Sequence, residues 1–444
     1  MNFSADTFLL DSDLAQHLYH EVARDRPVSD WFTLFGYHGP PVQVSGPALV
    51  QHWLGADPRL NLALQRQDRM LGDAADAAQA FRSWAEGLCH LQGSPWYLEA
   101  QLALHHSFGV AQWLTRDQID PIWEQVQAGL HQGRPRQLPL PGGLAEVHTL
   151  YDPVQDEPPT SDWLPPSAQP LRPAFCADQV LALEHPSRWN GYLNRLSTLT
   201  GSQLEHFIDL INVLQQRVDR LSARGCRVAV LHLTDPGGRT YTDEEINFLF
   251  HKLRLGHALL PDELAKLRSA LLWQLMEMYH EQDWVLYLVL GAHPADEGSP
   301  LPHLLDDRPL LQSLFRQLDQ WDQAGILPRL ILHLPGRPAL AAHLIGHFPA
   351  AQMRCSLNLS LPQGPRGLTQ QCHAWLAAGL LPEGMGFTSG AAHPLALVRH
   401  DYGRRLLCQW LARQVQQGLM PHDLPWLTQL IEGWTGGQFR QWLG

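Results

Sequence analysis

The sequence predicts an α/β protein, a TIM-like (β/α)8 barrel with a helical insertion after its first strand. Three observations predict this fold. From residue 226 onward, short apolar runs alternate with amphipathic stretches of helical period. The apolar runs are continuous, which is typical of strands buried on both faces in a parallel sheet. Eight such units suffice to close a barrel, with chemistry expected at the carboxyl ends of its strands.

The first third of the chain is predicted to be mostly helical. Leu14, Leu18 and Val22 recur at helical spacing within residues 11–25, and Asp11, Ser12 or Asp13 could cap that helix. The aromatic and aliphatic residues 29–36 form the first predicted strand. The insertion is expected to contain helices starting at Gly46-Pro47 and at residues 73–86 and 95–106, and a capping box at 115–118.

The remaining elements alternate along the chain. Further strands are predicted at 145–151, 171–175, 226–233, 284–290, 329–334, 355–361 and 384–388. Helices are predicted at 202–224, 242–255, 261–281, 310–323, 338–348, 368–378, 400–417 and 424–443. Ser202 is expected to cap the first of these helices and Gly225 to end it. The expected divisions are an N-terminal helical segment (1–28), the first strand (29–36), the helical insertion (45–140), the rest of the barrel (143–410) and C-terminal helices (411–444).

Composition excludes several functions. The 444 residues include 45% hydrophobic and 17% charged residues, which is typical of a globular chain with a large core. A formal net charge of −12 without a basic run argues against nucleic acid or a membrane surface as partner. The six cysteines are isolated, which favours reduced thiols in a reducing compartment. We expect no signal peptide and a cytoplasmic location.

Collinear short segments, spread over nearly the whole chain, resemble the uronate isomerase (glucuronate isomerase) family of the amidohydrolase superfamily. The matching segments lie at residues 8–10, 18–21, 53–55, 93–97, 225–228, 269–272, 284–292, 399–402 and 404–408. The resemblance implies a metal-dependent hydrolase-like barrel. It also implies aldose–ketose isomerisation of D-glucuronate and D-galacturonate, with a divalent metal such as zinc, in carbohydrate metabolism.

The family's metal-binding residues are missing at the matching positions. Its His-x-His at the end of the first strand matches Phe32 and Leu34, and the metal-binding Asp of its last strand matches Ser389. Val289 stands where the family has a strand histidine. Since imidazoles and a carboxylate have been replaced by residues that cannot hold a dication, we expect no metal cofactor. The leading hypothesis is a pseudoenzyme retained as a sugar-acid binder, a regulator or a partner.

The alternative hypothesis is an active divergent isomerase or hydrolase that acts on a sugar acid through a relocated site, either without a metal or with a metal held by relocated histidines. Asp30, Asp178 and Asp235 are the candidate acid–base residues near strand ends, and Asp152 is a further carboxylate in such a position. Arg239, Arg399 and His293 are candidates for binding the substrate. His232 is predicted to face away from the interior, because it lies one residue beyond the family position. The expected ligand is a uronate or related sugar acid; homo-oligomerisation and association with an active paralogue both remain open.

Overall fold

Eight parallel strands form a single sheet in chain order, as predicted. The computed structural model describes residues 3–33, 76–132, 140–156, 171–290, 308–333, 338–348, 352–358, 365–391 and 393–443. The strands are β1 Val28–Thr33, β2 Leu144–Tyr151, β3 Leu171–Cys176, β4 Val228–Leu233, β5 Val285–Leu290, β6 Arg329–His333, β7 Met353–Asn358 and β8 Gly384–Thr388. Each strand pairs in parallel with the next. Since the backbone N–H of Ser389 donates to Asp30 of β1 at 3.2 Å, the sheet is nearly closed into a barrel.

The strands are apolar because both of their faces are covered. In β5, Val285, Tyr287 and Val289 belong to a cluster enclosed by the sheet, whereas the intervening leucines pack against the outer helices. Every residue of β4 and β5 is buried. The helices of the insertion have a separate core built around Phe81, Trp84 and Trp123. Within the described residues, no helix is both long enough and apolar enough to cross a membrane.

The helices follow the predicted order. Ser12 caps the helix Asp13–His17, which continues as a π-helix over Leu18–Ala23. The described part of the insertion contains Ala77–His90, Pro95–Phe108, the 3-10 turn Arg116–Gln118 and Ile119–His131. The remaining α-helices are Asp178–Leu181, Pro186–Thr200, Phe207–Ser222, Asp243–Arg254, Pro261–Glu281, Arg308–Gln323, Pro338–His347, Pro365–Ala377, Arg399–Gln416, Leu424–Glu432 and Gln438–Leu443. The helix expected at Gly46-Pro47 lies outside the described residues.

Three local predictions were wrong, and one helix was not predicted. The helix predicted from Ser202 begins at Phe207, and the carboxylate of Asp209 accepts the backbone N–H of His206 at 2.8 Å. Before it lies a helix that we did not predict, Pro186–Thr200, which Gly201 ends with a φ of 69°. Thr115 makes no side-chain cap. The predicted helix 424–443 is interrupted between residues 433 and 437, where Gly436 has a φ of 109°.

The C-terminal segment closes the amino end of the barrel. Phe439 packs among the side chains enclosed by the sheet, and the guanidinium of Arg354 lies 5.5 Å from the ring centre of Trp442. The helix Arg399–Gln416 runs without a break across the boundary expected at residue 410. With the amino end filled in this way, space for a ligand is to be sought at the carboxyl ends of the strands.

Candidate functional site

The interior of the barrel is largely apolar up to its carboxyl end. One buried cluster contains Leu150, Ala174, Cys176, Val228, Val230, Val285, Tyr287, Val289, Ile331, Met385 and Phe439. Val289, where the family resemblance expects a histidine, is only 4% exposed. Register places Val289 between His232 of β4 and His333 of β6. Two imidazoles therefore stand in this row of the barrel, with a valine between them.

A polar cavity of about 340 Å³ lies at the carboxyl ends of β3 and β4. The turn after β3, the helix Pro186–Thr200, the end of β4 and the helix Pro261–Glu281 contribute its walls. Its charged and polar lining includes Asp178, Arg188, Tyr192, His232, Asp235 and Arg268. This is the edge of a barrel at which ligands and catalytic groups are expected.

Cys176, Asp178 and His232 form a buried cluster at this edge. One carboxylate oxygen of Asp178, Oδ1, accepts the backbone N–H of His232 at 2.9 Å. The other, Oδ2, lies 2.7 Å from the imidazole Nδ1 of His232 and accepts the thiol of Cys176 at 3.2 Å. Burial and the nearby charge of Asp178 raise the pKa of the Cys176 thiol well above its usual range. The thiol is therefore protonated in this arrangement.

The prediction that His232 faces away from the interior was wrong. His232 lies on the same face of β4 as Val228 and Val230, which are enclosed by the barrel, while Leu231 packs against the outer layer. The side chains of β4 do alternate between the two faces, but it is Leu231, the position matched to the family residue, that faces outward. The placement of Asp178 opposite His232 had no signal in the sequence, because it depends on the pairing of β3 with β4.

Asp152, immediately after β2, is a buried carboxyl beside this cluster. Its Oδ1 accepts the phenol of Tyr192 at 3.0 Å and the backbone N–H of Val154 at 2.9 Å. Burial, aided by the negative charge of Asp178, raises the pKa of Asp152 to about 6. Tyr192 also lines the cavity. Its hydrogen bond therefore connects Asp152, with a pKa of about 6, to the site.

The two arginines at the cavity differ in their surroundings. Arg268 is almost fully buried and is neutralised by Asp235, at 2.7 Å, and by Glu184. Arg188 is exposed on the cavity wall, and within the described part of the chain no carboxylate pairs with it. Arg188 is therefore the guanidinium better placed to receive an anionic group from solvent.

Of the predicted acid–base residues, Asp178 and Asp235 line the cavity, and Asp152 contacts its wall through Tyr192, whereas Asp30 does not line it. Asp30 pairs across β1 and β2 with Val147, which packs in the outer layer with Leu397. Its carboxylate accepts the backbone N–H and the hydroxyl of Ser389 and lies 2.9 Å from the imidazole Nε2 of His400. These contacts join β1, the residue after β8 and an outer helix, which is a structural role.

The predicted substrate-binding residues lie elsewhere. Arg239 is on the surface, where its Nε is 3.0 Å from Asp262. Arg399 is buried and bonded to Glu99 at 2.9 Å and to the carbonyl of Ser389 at 3.0 Å. His293 and Leu34 lie outside the described residues, as does the side chain of Phe32, although Phe32 itself belongs to β1.

The comparisons with known proteins agree with this architecture. The family model described as "Glucuronate isomerase" matches residues 1–439. The chain belongs to the glucuronate isomerase family. It is 27% identical to the uronate isomerases of Pectobacterium carotovorum subsp. carotovorum and of Serratia proteamaculans, with 97% of this chain and 96% of each relative covered.

Solved structures of this family have the same fold. The uronate isomerase of Thermotoga maritima superposes with a TM-score of 0.82 at 18% identity, over 98% of this chain and 99% of that one. The glucuronate isomerase of Caulobacter crescentus gives 0.79 at 18% identity, over 99% and 96%. At this identity the likeness shows the shared barrel alone.

The metal that the family resemblance implies does not fit the described residues at the position matched to the family aspartate. There the hydroxyl of Ser389 donates to Asp30 and accepts the backbone N–H of Ala391 at 3.0 Å, so it is committed to the protein. The expectation that the chain holds no metal stays a prediction, however. Ligand atoms of Cys176, Asp178 and His232 all lie within 4.8 Å of one another.

Proposed function

We propose that this member of the glucuronate isomerase family binds a sugar acid at the mouth of its barrel and has lost the family's metal-dependent isomerisation. The observation that carries the proposal is Ser389. It replaces the family's metal-binding aspartate, and its hydrogen bonds connect it to Asp30 and the outer layer. Val289 supports the same interpretation, because it fills another matched position with apolar packing.

The cavity supports the binding part of the proposal. Its volume of about 340 Å³ is within the usual range for small-molecule sites. The carboxylate of a uronate would pair with Arg188, and sugar hydroxyls would donate to the carboxylates of Asp178 and Asp235. A neutral sugar lacks the group that Arg188 would bind, so the site is expected to discriminate against it.

A thermal unfolding experiment tests this function. Glucuronate and galacturonate should raise the melting temperature of the purified protein, glucose should not, and no ketose should form. Binding at 100 times the dissociation constant stabilises a protein by about 2.7 kcal/mol. Arg188→Gln should abolish the shift. Arg316→Gln, an exposed arginine on the helix Arg308–Gln323 that does not line the cavity, should leave it unchanged. Absence of stabilisation by either uronate would overturn the binding proposal.

The alternative is an active enzyme with a relocated site, and Asp152 is the observation in its favour. An acid–base group is most effective when its pKa is near the working pH, and the pKa of Asp152 is raised to about 6. Turnover of a uronate to a ketose, lost in Asp152→Asn, would establish this alternative.

Elution of the purified protein on size-exclusion chromatography, alone and with an active isomerase, tests the proposed homo-oligomer and paralogue partner.

A further inference from the structure

We propose that Cys176, Asp178 and His232 form a zinc site at the carboxyl ends of β3 and β4, with one coordination position open to the cavity. A thiol, a carboxylate and an imidazole are together the ligand types that zinc takes in proteins. The three residues are buried, and two of them belong to paired strands, so their positions are held by the barrel itself. This place is distinct from the first- and last-strand positions that the family resemblance implies.

The orientation of Asp178 is the first support. The backbone N–H of His232 holds Oδ1 at 2.9 Å, which directs Oδ2 toward the sulfur and the imidazole nitrogen. Zinc–ligand bonds of about 2.0–2.3 Å in a tetrahedral site place ligand atoms roughly 3.3–3.5 Å apart. The distance from Sγ to Oδ2 is 3.2 Å, and that from Oδ2 to Nδ1 is 2.7 Å. The contact between Oδ2 and Nδ1 has to lengthen when an ion takes the place of the hydrogen-bond protons between these ligand atoms, and all three ligand atoms already lie within 4.8 Å of one another.

Charge and access are the second support. A thiolate, a carboxylate and a neutral imidazole carry two negative charges, which a dication would neutralise in a buried place. Asp178 and His232 both line the cavity, so an ion bound to them has a side open to it. Three protein ligands and one open position is the arrangement of zinc sites that accept water or an external oxygen ligand. A hydroxyl or carboxylate of a ligand in the cavity could occupy that position.

Cobalt(II) titration of the purified, metal-stripped protein tests the proposal without any sugar acid. We expect one equivalent of cobalt to produce the near-ultraviolet charge-transfer band of a thiolate–cobalt bond and one equivalent of zinc to remove it. Cys176→Ser should abolish the band. Cys226→Ser, at a second fully buried cysteine close to the start of β4, should preserve it. His232→Asn should weaken zinc affinity more than about tenfold, since even loss of an outer-shell partner weakens it about 10–100-fold.

Absence of the band in the wild-type protein would overturn the zinc site, and so would a band that persists in Cys176→Ser. The wild-type titration decides the matter even if a variant fails to fold. Uronate-induced stabilisation measured in chelator separates this proposal from the proposed function. A thermal shift that survives in chelator, without a cobalt band, rejects the zinc site and keeps sugar-acid binding. A cobalt band in a protein that no uronate stabilises keeps the zinc site and rejects sugar-acid binding.

Discussion

Asp152 follows β2 directly, and its carboxyl group is buried against Tyr192 and the backbone of Val154. Burial raises its pKa from 3.8 to about 6. Between these two values the folded state holds a proton that the unfolded state has lost. The contribution of this group to stability is therefore complete below pH 4 and falls as the pH rises through the folded pKa.

Above the folded pKa, the buried carboxylate of Asp152 is charged and lowers the free energy of unfolding. Asp152→Asn should remove this destabilisation. At pH 7.5 we expect the variant to be more stable than the wild type by about 1–3 kcal/mol, and at pH 4.5 the difference should shrink. Urea unfolding at the two pH values measures the effect. Asp156→Asn is the matched control, because Asp156 lies four residues further on and is exposed. An equal loss of stability by the wild type and by Asp152→Asn between pH 4.5 and pH 7.5 would contradict the raised pKa of Asp152.

At the level of elements, β8 depends on close contact with the C-terminal segment. The indole N–H of Trp434 donates to the carbonyl of Leu381 at 2.9 Å, so the ring lies across the start of β8. A Cβ atom on Gly384 would lie 2.1 Å from that ring. Gly386 has a φ of 109°, and a Cβ there would lie 2.5 Å from the carbonyl oxygen of Trp434. Both glycines are required by this packing.

Gly386→Ala should therefore lower the free energy of unfolding by more than about 2 kcal/mol, because it combines a disfavoured backbone conformation with a backbone clash. Urea unfolding at pH 7 measures this loss. Gly191→Ala, in the exposed interior of the helix Pro186–Thr200 with no atom within 4 Å of the added Cβ, should instead raise stability by about 0.5–1 kcal/mol. Equal effects of the two changes would show that Trp434 does not constrain β8.

The order of elements followed from the sequence because each element has a local signal. Continuous apolar runs predicted β4 and β5, and helical periodicity predicted the helix at 261–281, which the structure has at Pro261–Glu281. The helix Pro186–Thr200 was missed, although His185-Pro186 and Gly201 mark both its ends. Its buried Trp189, Tyr192, Leu193 and Leu196 show helical spacing, so the sequence does contain a signal for this helix.

Across the whole molecule, a buried ionic network connects the N-terminal segment, the helical insertion and the helix Arg399–Gln416. Asp401 pairs with Arg405 at 2.9 Å and lies 3.0 Å from the imidazole Nε2 of His106. Arg405 also donates to the hydroxyl of Tyr19 at 2.7 Å and to the carbonyl of Ala5 at 2.6 Å. Burial alone would raise the pKa of Asp401, but the charge of Arg405 and the contact with His106 hold it far below its usual range.

Asp401→Asn should lower the free energy of unfolding at pH 7 by about 3–5 kcal/mol, since it leaves Arg405 buried without its counter-charge. Because the pKa of Asp401 is lowered in the folded state, its carboxylate stabilises the protein at pH values above its unfolded pKa. The wild type should therefore lose stability below about pH 4, and the variant should lose less. Arg413 lies on the same helix as Arg405 and pairs with the exposed carboxylate of Asp11. Asp11→Asn, which removes this exposed pair, should change stability by less than about 1 kcal/mol. Urea unfolding at pH 7 and pH 3.5 distinguishes the two.

The sequence by itself determined the barrel, its insertion and its family, because periodicity and short collinear segments are properties of neighbouring residues. It also supplied Asp178 and Asp235 as polar residues near strand ends. Only the tertiary structure brought Cys176, Asp178 and His232 together, and only it placed Asp30 and Ser389 in the outer layer. The reason is physical: which side chains meet depends on the register between strands and on the face each strand presents to the barrel, and residues far apart in the chain fix both.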